Sequence, residues 1–447
     1  MQSWKAIIRT VAAGPAESYP KRVSLLPEPL RIAGYRYFWF ARLATTIAQM
    51  AMVIVIGWQV YDIARQSMSI REAAFRLGLI GLVQFVPLFV LTPISGWTAD
   101  RLDRRYIARA VVFLEFLCAL TLFVSTWRGF ISLPILFGVA AVLGVARAFA
   151  GPALGALAPN LVPREILPNA IALSSAAWQT GAIVGPALGG ILYDVTPHLP
   201  YGLSALLFAF SIACLFTIPP IARTPLRPGS PWQQMVNGLS YVRRNRLVLG
   251  AITLDLFAVL LGGVTAMLPV YARDILQVGP NGLGPLRAAP AVGATLTAIF
   301  FSVRPLKTDV GVKMLTAVVV FGAATAVFGI SRWFPLSLAM LAVLGAADMF
   351  SVYIRQSLIQ LHTPDEMRGR VAAVSTLAIS ASNELGETRS GFAAALLGPI
   401  VATAAGGIAA IVVTIAWAGL FPELRNARTF ELPEPAPEEA DVVASGV

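Results

Sequence analysis

Cysteine and histidine are almost missing from this chain, with two of each in 447 residues. Cys118 and Cys214 both fall inside apolar runs, so neither a disulfide framework nor a CxxC metal site is expected. His198 and His362 sit at helix ends or in loops, which leaves no histidine metal site or proton relay in the middle of any run. Charge is scarce too: Asp, Glu, Lys and Arg make up 13% of the residues, against about 25% in soluble domains. A GxxxxGK[ST] phosphate loop is absent, which removes a pump driven by nucleotide hydrolysis. With no reactive constellation, an enzyme is not expected, nor is any cofactor or metal.

What the chain has in quantity is hydrophobic residues, 57% of the total. They fall into runs long enough to cross ~30 Å of hydrocarbon as tilted helices. The first six spans are read at about Phe38–Tyr61, Phe75–Thr98, Ile107–Trp127, Leu133–Leu157, Ala170–Leu192 and Tyr201–Ile218. The second six are read at about Leu247–Tyr271, Leu286–Val303, Met314–Ile330, Pro335–Leu358, Val371–Leu396 and Val401–Leu420. The fold class is therefore all-α and integral to the membrane, with twelve helices. The first strongly apolar run begins near Tyr37 behind a basic stretch, so no cleaved signal peptide is expected.

The net charge of +11 is not a nucleic-acid signal, because the basic residues gather in short loops on one side. Arg101, Arg104, Arg105, Arg109, Arg243, Arg244 and Arg246 belong to that side, whereas the opposite loops and helix ends hold only Arg65, Arg71, Arg76, Arg128, Arg273, Arg287 and Arg332. This bias predicts that both termini are cytoplasmic. Five segments follow: a cytoplasmic stretch 1–36, a six-helix bundle 37–218, a linker 219–246, a second six-helix bundle 247–420 and an acidic, disordered tail 421–447. Residues Trp232 to Val242 in the linker have the pattern of an amphipathic helix on the inner surface. Leu161-Val162-Pro163-Arg164-Glu165 after the fourth span is echoed by His362-Thr363-Pro364-Asp365-Glu366 after the tenth, an internal repeat of six helices.

Three groups of residues carry candidate chemistry. In GAIVGPALGG, Gly181, Gly185 and Gly189 recur one helical turn apart, with Pro186 and Gly190 beside them. That spacing makes a flat face for close helix packing, and the proline bends the helix. Next, Gly96, Asp100, Arg101, Arg104 and Arg105 form a charged cluster that closes the second span, with Asp103 between the arginines. Last come the ionisable residues inside spans: Glu115, Arg147, Asp255, Asp348, Glu384 and Glu387. Each is costly in lipid and is expected to face the bundle interior. A carboxyl desolvated there can load and release a proton, and Asp255 is the preferred carrier; permanent internal salt bridges are the competing reading. Glu384 and Glu387 share a helix face and can hold one proton between them. Arg42 and Arg355 lie nearer the inner ends, where interfacial anchoring is expected. Gln49, Gln84, Trp178, Gln179, Phe257 and Asn383 are candidates for a greasy cavity with polar anchors; Gln59 and Phe85 have the same character.

These motifs resemble the major facilitator superfamily over Arg36 to Arg428. The glycine run is similar to the signature gxxxGPxxGG of antiporters in that superfamily, and Gly96 to Arg105 is similar to its loop between helices two and three. ADRLDRR at Ala99–Arg105, TPDEMRGRVAAV at Thr363–Val374 and FPELR at Phe421–Arg425 resemble the branch of enterobactin exporters and multidrug efflux proteins. The resemblance implies two bundles that rock about a central chamber in a bacterial cytoplasmic membrane. It implies that Asp100 latches the inner gate with Arg101 and Arg104, that Gly181–Gly190 seals or pivots the bundle interface, and that Arg147 takes part in proton transfer. The usual glutamine before Gly151 is missing. The expected function is export of a small amphipathic molecule by a monomer using proton antiport; uptake, or lysophospholipid flipping, on the same scaffold is the alternative.

Overall fold

The computed structural model describes residues 27–157, 160–219, 231–304, 306 and 308–430. The side chains of Gly96, Asp100, Arg164, Trp232 and Asp365 also lie outside the described set, as do the amino-terminal stretch before Pro27, the first part of the linker and the acidic tail from Glu431.

Every regular element among the described residues is helical. The first half of the chain forms α1 (Ala33–Ala64), α2 (Ile70–Arg101), α3 (Arg104–Trp127), α4 (Leu133–Leu157), α5 (Leu167–Val195) and α6 (Leu199–Phe216). A shorter helix α7 (Pro231–Arg244) leads into α8 (Arg246–Gly262), α9 (Gly279–Val303), α10 (Val310–Ile330), α11 (Phe334–Leu361), α12 (Asp365–Leu397) and α13 (Pro399–Leu420). Local chemistry marks the boundaries. Ser69 and Glu72 form a capping box that starts α2 earlier than its apolar run implies. Prolines stand in the first turns of α5, α6, α9, α11 and α13, where no backbone donor is needed. Gly398, with φ of +86°, turns the chain between α12 and α13.

Among the described residues, ten segments are long and apolar enough to cross a membrane. α5 and α12 are not among them: α5 is diluted by glycine, serine and amide side chains, and α12 carries Glu384, Glu387 and Arg389.

The expected seventh span is not one straight helix. α8 stops at Gly262, and the chain continues through a 3-10 turn (Thr265–Met267), a short α turn (Leu268–Val270) and a π turn (Tyr271–Ile275). The glycine pair 262–263 gives the helix least support there, and Gly263 takes an extended ψ of 122°. Ser390 donates to the Gly263 carbonyl at 2.8 Å, satisfying a group the break exposes.

Helix packing divides the long helices into two sets. α1 packs on α5 and α6, α2 on α4, and α3 on α4 and α6; α8 packs on α12 and α13, α9 on α11, and α10 on α11 and α13. The sets meet through α2 against α12 and α5 against α9.

Candidate functional site: the joint between the two helix sets

Small residues bring the two sets together on the side of the α1–α2 loop. A Cβ on Gly81 would stand 2.9 Å from the Glu384 carbonyl oxygen, and a Cβ on Gly284 the same distance from that of Pro186. Gly78 faces Gly391, and Phe75 meets Phe392 edge-on at 4.8 Å. Further along α2 the same stripe opens, with Phe89 at 52% exposure. Along α12 the stripe through Gly391 and Glu384 becomes exposed at Ala373 and Thr376. The joint is thus shut at one end and parted at the other.

Charged side chains occupy the point where it parts. Arg147 of α4 reaches Glu384 of α12 at 2.6 Å, an ion pair between the two sets. Gly144 makes this possible: its missing Cβ lets α4 lie on the Gln84 backbone, and one turn later Arg147 donates to Gln84 Oε1 at 3.0 Å. The Arg147 side chain stays 46% exposed while that of Glu384 is 6% exposed, so solvent enters from the arginine side. Deeper in the first set, Gln49 donates to Glu115 at 2.6 Å, and the second Glu115 oxygen is buried without a partner. On the shut side, Glu387 accepts from Thr265 at 3.4 Å beside a cavity of about 50 Å3, also lined by Gln84 and Arg287.

Beyond that cavity is a polar lock that the sequence reading passed over. Arg65 pairs with Asp274 at 3.4 Å, and Tyr61 donates to the same carboxylate at 2.5 Å. Arg273 pairs with Asp62 at 2.6 Å, and Asn281 donates to Asp194 at 2.6 Å. The signal was present as two related strings, YDIAR at Tyr61–Arg65 and YARDI at Tyr271–Ile275, at the ends of the first and seventh spans.

Other expected residues fall elsewhere. The glycine stripe does not line the interface between the sets. Cβ atoms on Gly181, Gly185 and Gly189 would collide with Thr46, Ile47, Met50, Ala51 and Ile54 of α1, in the same set. Of the motif, Pro186, whose carbonyl faces Gly284, and Gly190, where a Cβ would lie 3.0 Å from the Gly284 nitrogen, fit the expected role. The reason is geometric: a flat face specifies a close neighbour but not which one. Asp255 pairs not with a group at the joint but with Arg355, within an apolar cluster that includes Leu254, Ile354 and Leu358. Arg355 is 2% exposed, which corrects its reading as an interfacial anchor. Asp348 lies within electrostatic reach of both. Arg105 grips Asp103 at 2.6 Å and donates to the Ile218 carbonyl at 3.2 Å, tying α3 to the end of α6 within one set. Gly96 and Asp100 belong to helical backbone whose side chains are outside the described set; Arg101 is exposed and Arg104 partly buried. Phe257 packs on Trp417 of α13 at 5.3 Å, away from the joint. Trp178 is 46% exposed on α5, Asn383 is exposed, and the Gln179 side-chain oxygen Oε1 is buried without a partner. Gln59 accepts from Tyr201 at 2.8 Å, a bond between helices.

The sequence profile described as transmembrane secretion effector matches residues 26–441. The enterobactin exporter of Citrobacter koseri is 25% identical over 418 residues, covering 89% of this chain and 95% of that protein. The enterobactin exporter of Escherichia coli strain K12 is 24% identical over 401 residues, with 86% and 92% covered. Among solved structures, a bacterial homologue of the human lysosomal transporter Spinster, inward-facing and unoccupied, superposes with a TM-score of 0.67 at 14% identity, covering 90% of this chain and 98% of that one. A D-xylose–proton symporter gives 0.64 at 14% identity, with 88% and 97% covered. With described residues that form only helices, ten of them long and apolar enough to cross a membrane, two packed helix sets and this profile, the chain is a multi-pass membrane transporter: it belongs to the transmembrane secretion effector family of the major facilitator superfamily.

Proposed function

We propose that the protein is a proton-coupled exporter of small amphipathic molecules, of the drug or siderophore type, in the bacterial cytoplasmic membrane. In this reading all twelve long helices cross the membrane, both termini are cytoplasmic, and the monomer works by alternating access. The shut side of the joint then faces outward, and the parted side opens to the cytoplasm.

The observation that carries the proposal is the Arg147–Glu384 pair, because it joins the two sets where the chamber meets solvent. When Glu384 is ionised it holds Arg147, and the sets stay together there. When Glu384 takes a proton, the attraction falls and the sets can separate around substrate. Arg147 is then free to turn toward Glu115, an acid of its own set that lies within its electrostatic reach. Proton binding and opening are linked because the two states differ in affinity for the proton. The enterobactin exporters support the direction of transport, since they match along almost their whole length.

The test is substrate movement in proteoliposomes under an imposed pH gradient, with a fluorescent amphipathic dye as cargo. Movement that follows the gradient and collapses with a protonophore supports antiport. Movement indifferent to the gradient rejects it.

A further inference from the structure

Helix α7 packs on α12 and carries a basic groove that the reading above does not use. Gly238 seats the helix on α12, since a Cβ there would stand 2.7 Å from the Arg370 carbonyl oxygen. Tyr241 donates to the His362 carbonyl at 2.8 Å, and Val242 is buried with Val248, Ile359 and Val371. One face of α7 is therefore spent on protein. On another face Val236 and Leu239 are 46% and 41% exposed, with the exposed Arg243 one turn further on. Where α7 passes into α8, Tyr241, Arg244, Asn245, Arg246, Leu247 and Glu423 line a groove of about 490 Å3. Glu423 is engaged by Arg246 at 3.0 Å, and no described carboxylate pairs with Arg243 or Arg244.

We propose that this groove binds the phosphodiester headgroup of an anionic phospholipid. The groove opens at the root of α8, where the apolar span begins, so it lies at the level of lipid headgroups. Arg244 lines the groove beside Asn245 and the exposed Arg243 adjoins it, so two guanidinium groups offer forked donors matched to phosphate oxygens, while Arg246 is held by Glu423 and the Leu420 carbonyl. Val236 and Leu239 present an apolar strip to the acyl chains next to that headgroup. A water-soluble phosphate would make no use of that strip. A basic cluster immediately beside a membrane helix is the pattern that anionic leaflets attract. A bound lipid would hold α7 against the root of α8 and the segment after α13 that carries Glu423. The proposal rests on α8 crossing the membrane and not on the direction or coupling of transport.

The test uses the purified full chain in neutral phosphatidylcholine nanodiscs, titrated with phosphatidylglycerol while its thermal midpoint is followed. The wild type is expected to be stabilised by phosphatidylglycerol and not by added phosphatidylcholine or inorganic phosphate. R243Q/R244Q should bind the anionic lipid about 10- to 30-fold more weakly, whereas R243K/R244K should keep most of the shift. V236S/L239S should weaken lipid binding without creating a response to inorganic phosphate. All these positions are exposed, so the variants are expected to fold. An undiminished shift in R243Q/R244Q, equal shifts with both lipids, or an equal shift with inorganic phosphate overturns the proposal.

Discussion

Arg273 and Asp62 form a 2.6 Å ion pair across the joint, and the neighbouring Asp274 is held in turn by Arg65 and Tyr61. The two pairs are reciprocal: each end contributes one acid and one arginine. Mutual exchange of charge between the ends of α1 and of the broken segment after α8 locks that side of the molecule.

Both pairs are partly exposed, so each contributes about 0.5–1 kcal/mol. D62N/D274N should therefore shift the balance away from the closed state by about 5- to 30-fold. Spin labels on the α1–α2 loop and on the turn before α9 would record a longer-distance population. The exchanged pair D62R/R273D should restore the original distances.

Packed on α1 within one set, the stripe of Gly181, Gly185 and Gly189 should govern stability and not the contact between the sets. At Gly185 a Cβ would stand 2.7 Å from both the Ile47 carbonyl oxygen and Met50 Cβ. Gly185→Ala should cost about 1–3 kcal/mol through overpacking of α1 on α5, seen as a lower thermal midpoint in detergent. Gly190→Ala should instead disturb closure against α9, seen in the same spin-label distances.

Asp255 and Arg355 should behave as a buried structural pair. Asp255→Ala removes the hydrogen-bonded partner of a guanidinium in an apolar cluster and leaves only Asp348 within electrostatic reach of it, a loss of about 3–5 kcal/mol. Poor folding of the single variant, with partial recovery in D255A/R355M, is the expected outcome in a denaturation series. Normal stability in Asp255→Ala would return that residue to the list of proton carriers.

Asp103 caps α3, and the hydrogen bonds from Arg105 hold its carboxyl below the usual carboxylate range. A depressed folded value means that the contribution is complete above the unfolded value of about 3.9. It is lost only as pH falls through the folded value. Asp103→Ala should cost about 0.5–2 kcal/mol between pH 5 and 8, with the gap from wild type narrowing in more acidic buffer; unfolding curves across that range check it.

The helices and the family were legible because both are local. Apolar length identifies a span such as Ile107–Trp127 within three residues of α3, and the glycine motif is a contiguous string. Partnership was not legible. Asp62 and Arg273 lie 211 positions apart, and only the fold brings them together. The same applies to the stripe through Gly181, whose spacing announces a close neighbour without saying that it is α1. The end of α8 escaped because hydropathy runs smoothly through Gly262 and Gly263, while backbone support does not. Asp255 stood out as a charge in an apolar run, and the pattern carried no hint that Arg355, 100 positions away, would neutralise it.

The most direct test of the account compares wild type with Glu384→Gln in proteoliposomes, measuring gradient-driven movement and substrate–substrate exchange side by side. The account predicts that the variant loses gradient-driven movement by about tenfold or more while exchange continues. A variant that follows the pH gradient as well as wild type would remove the Arg147–Glu384 pair from the coupling mechanism.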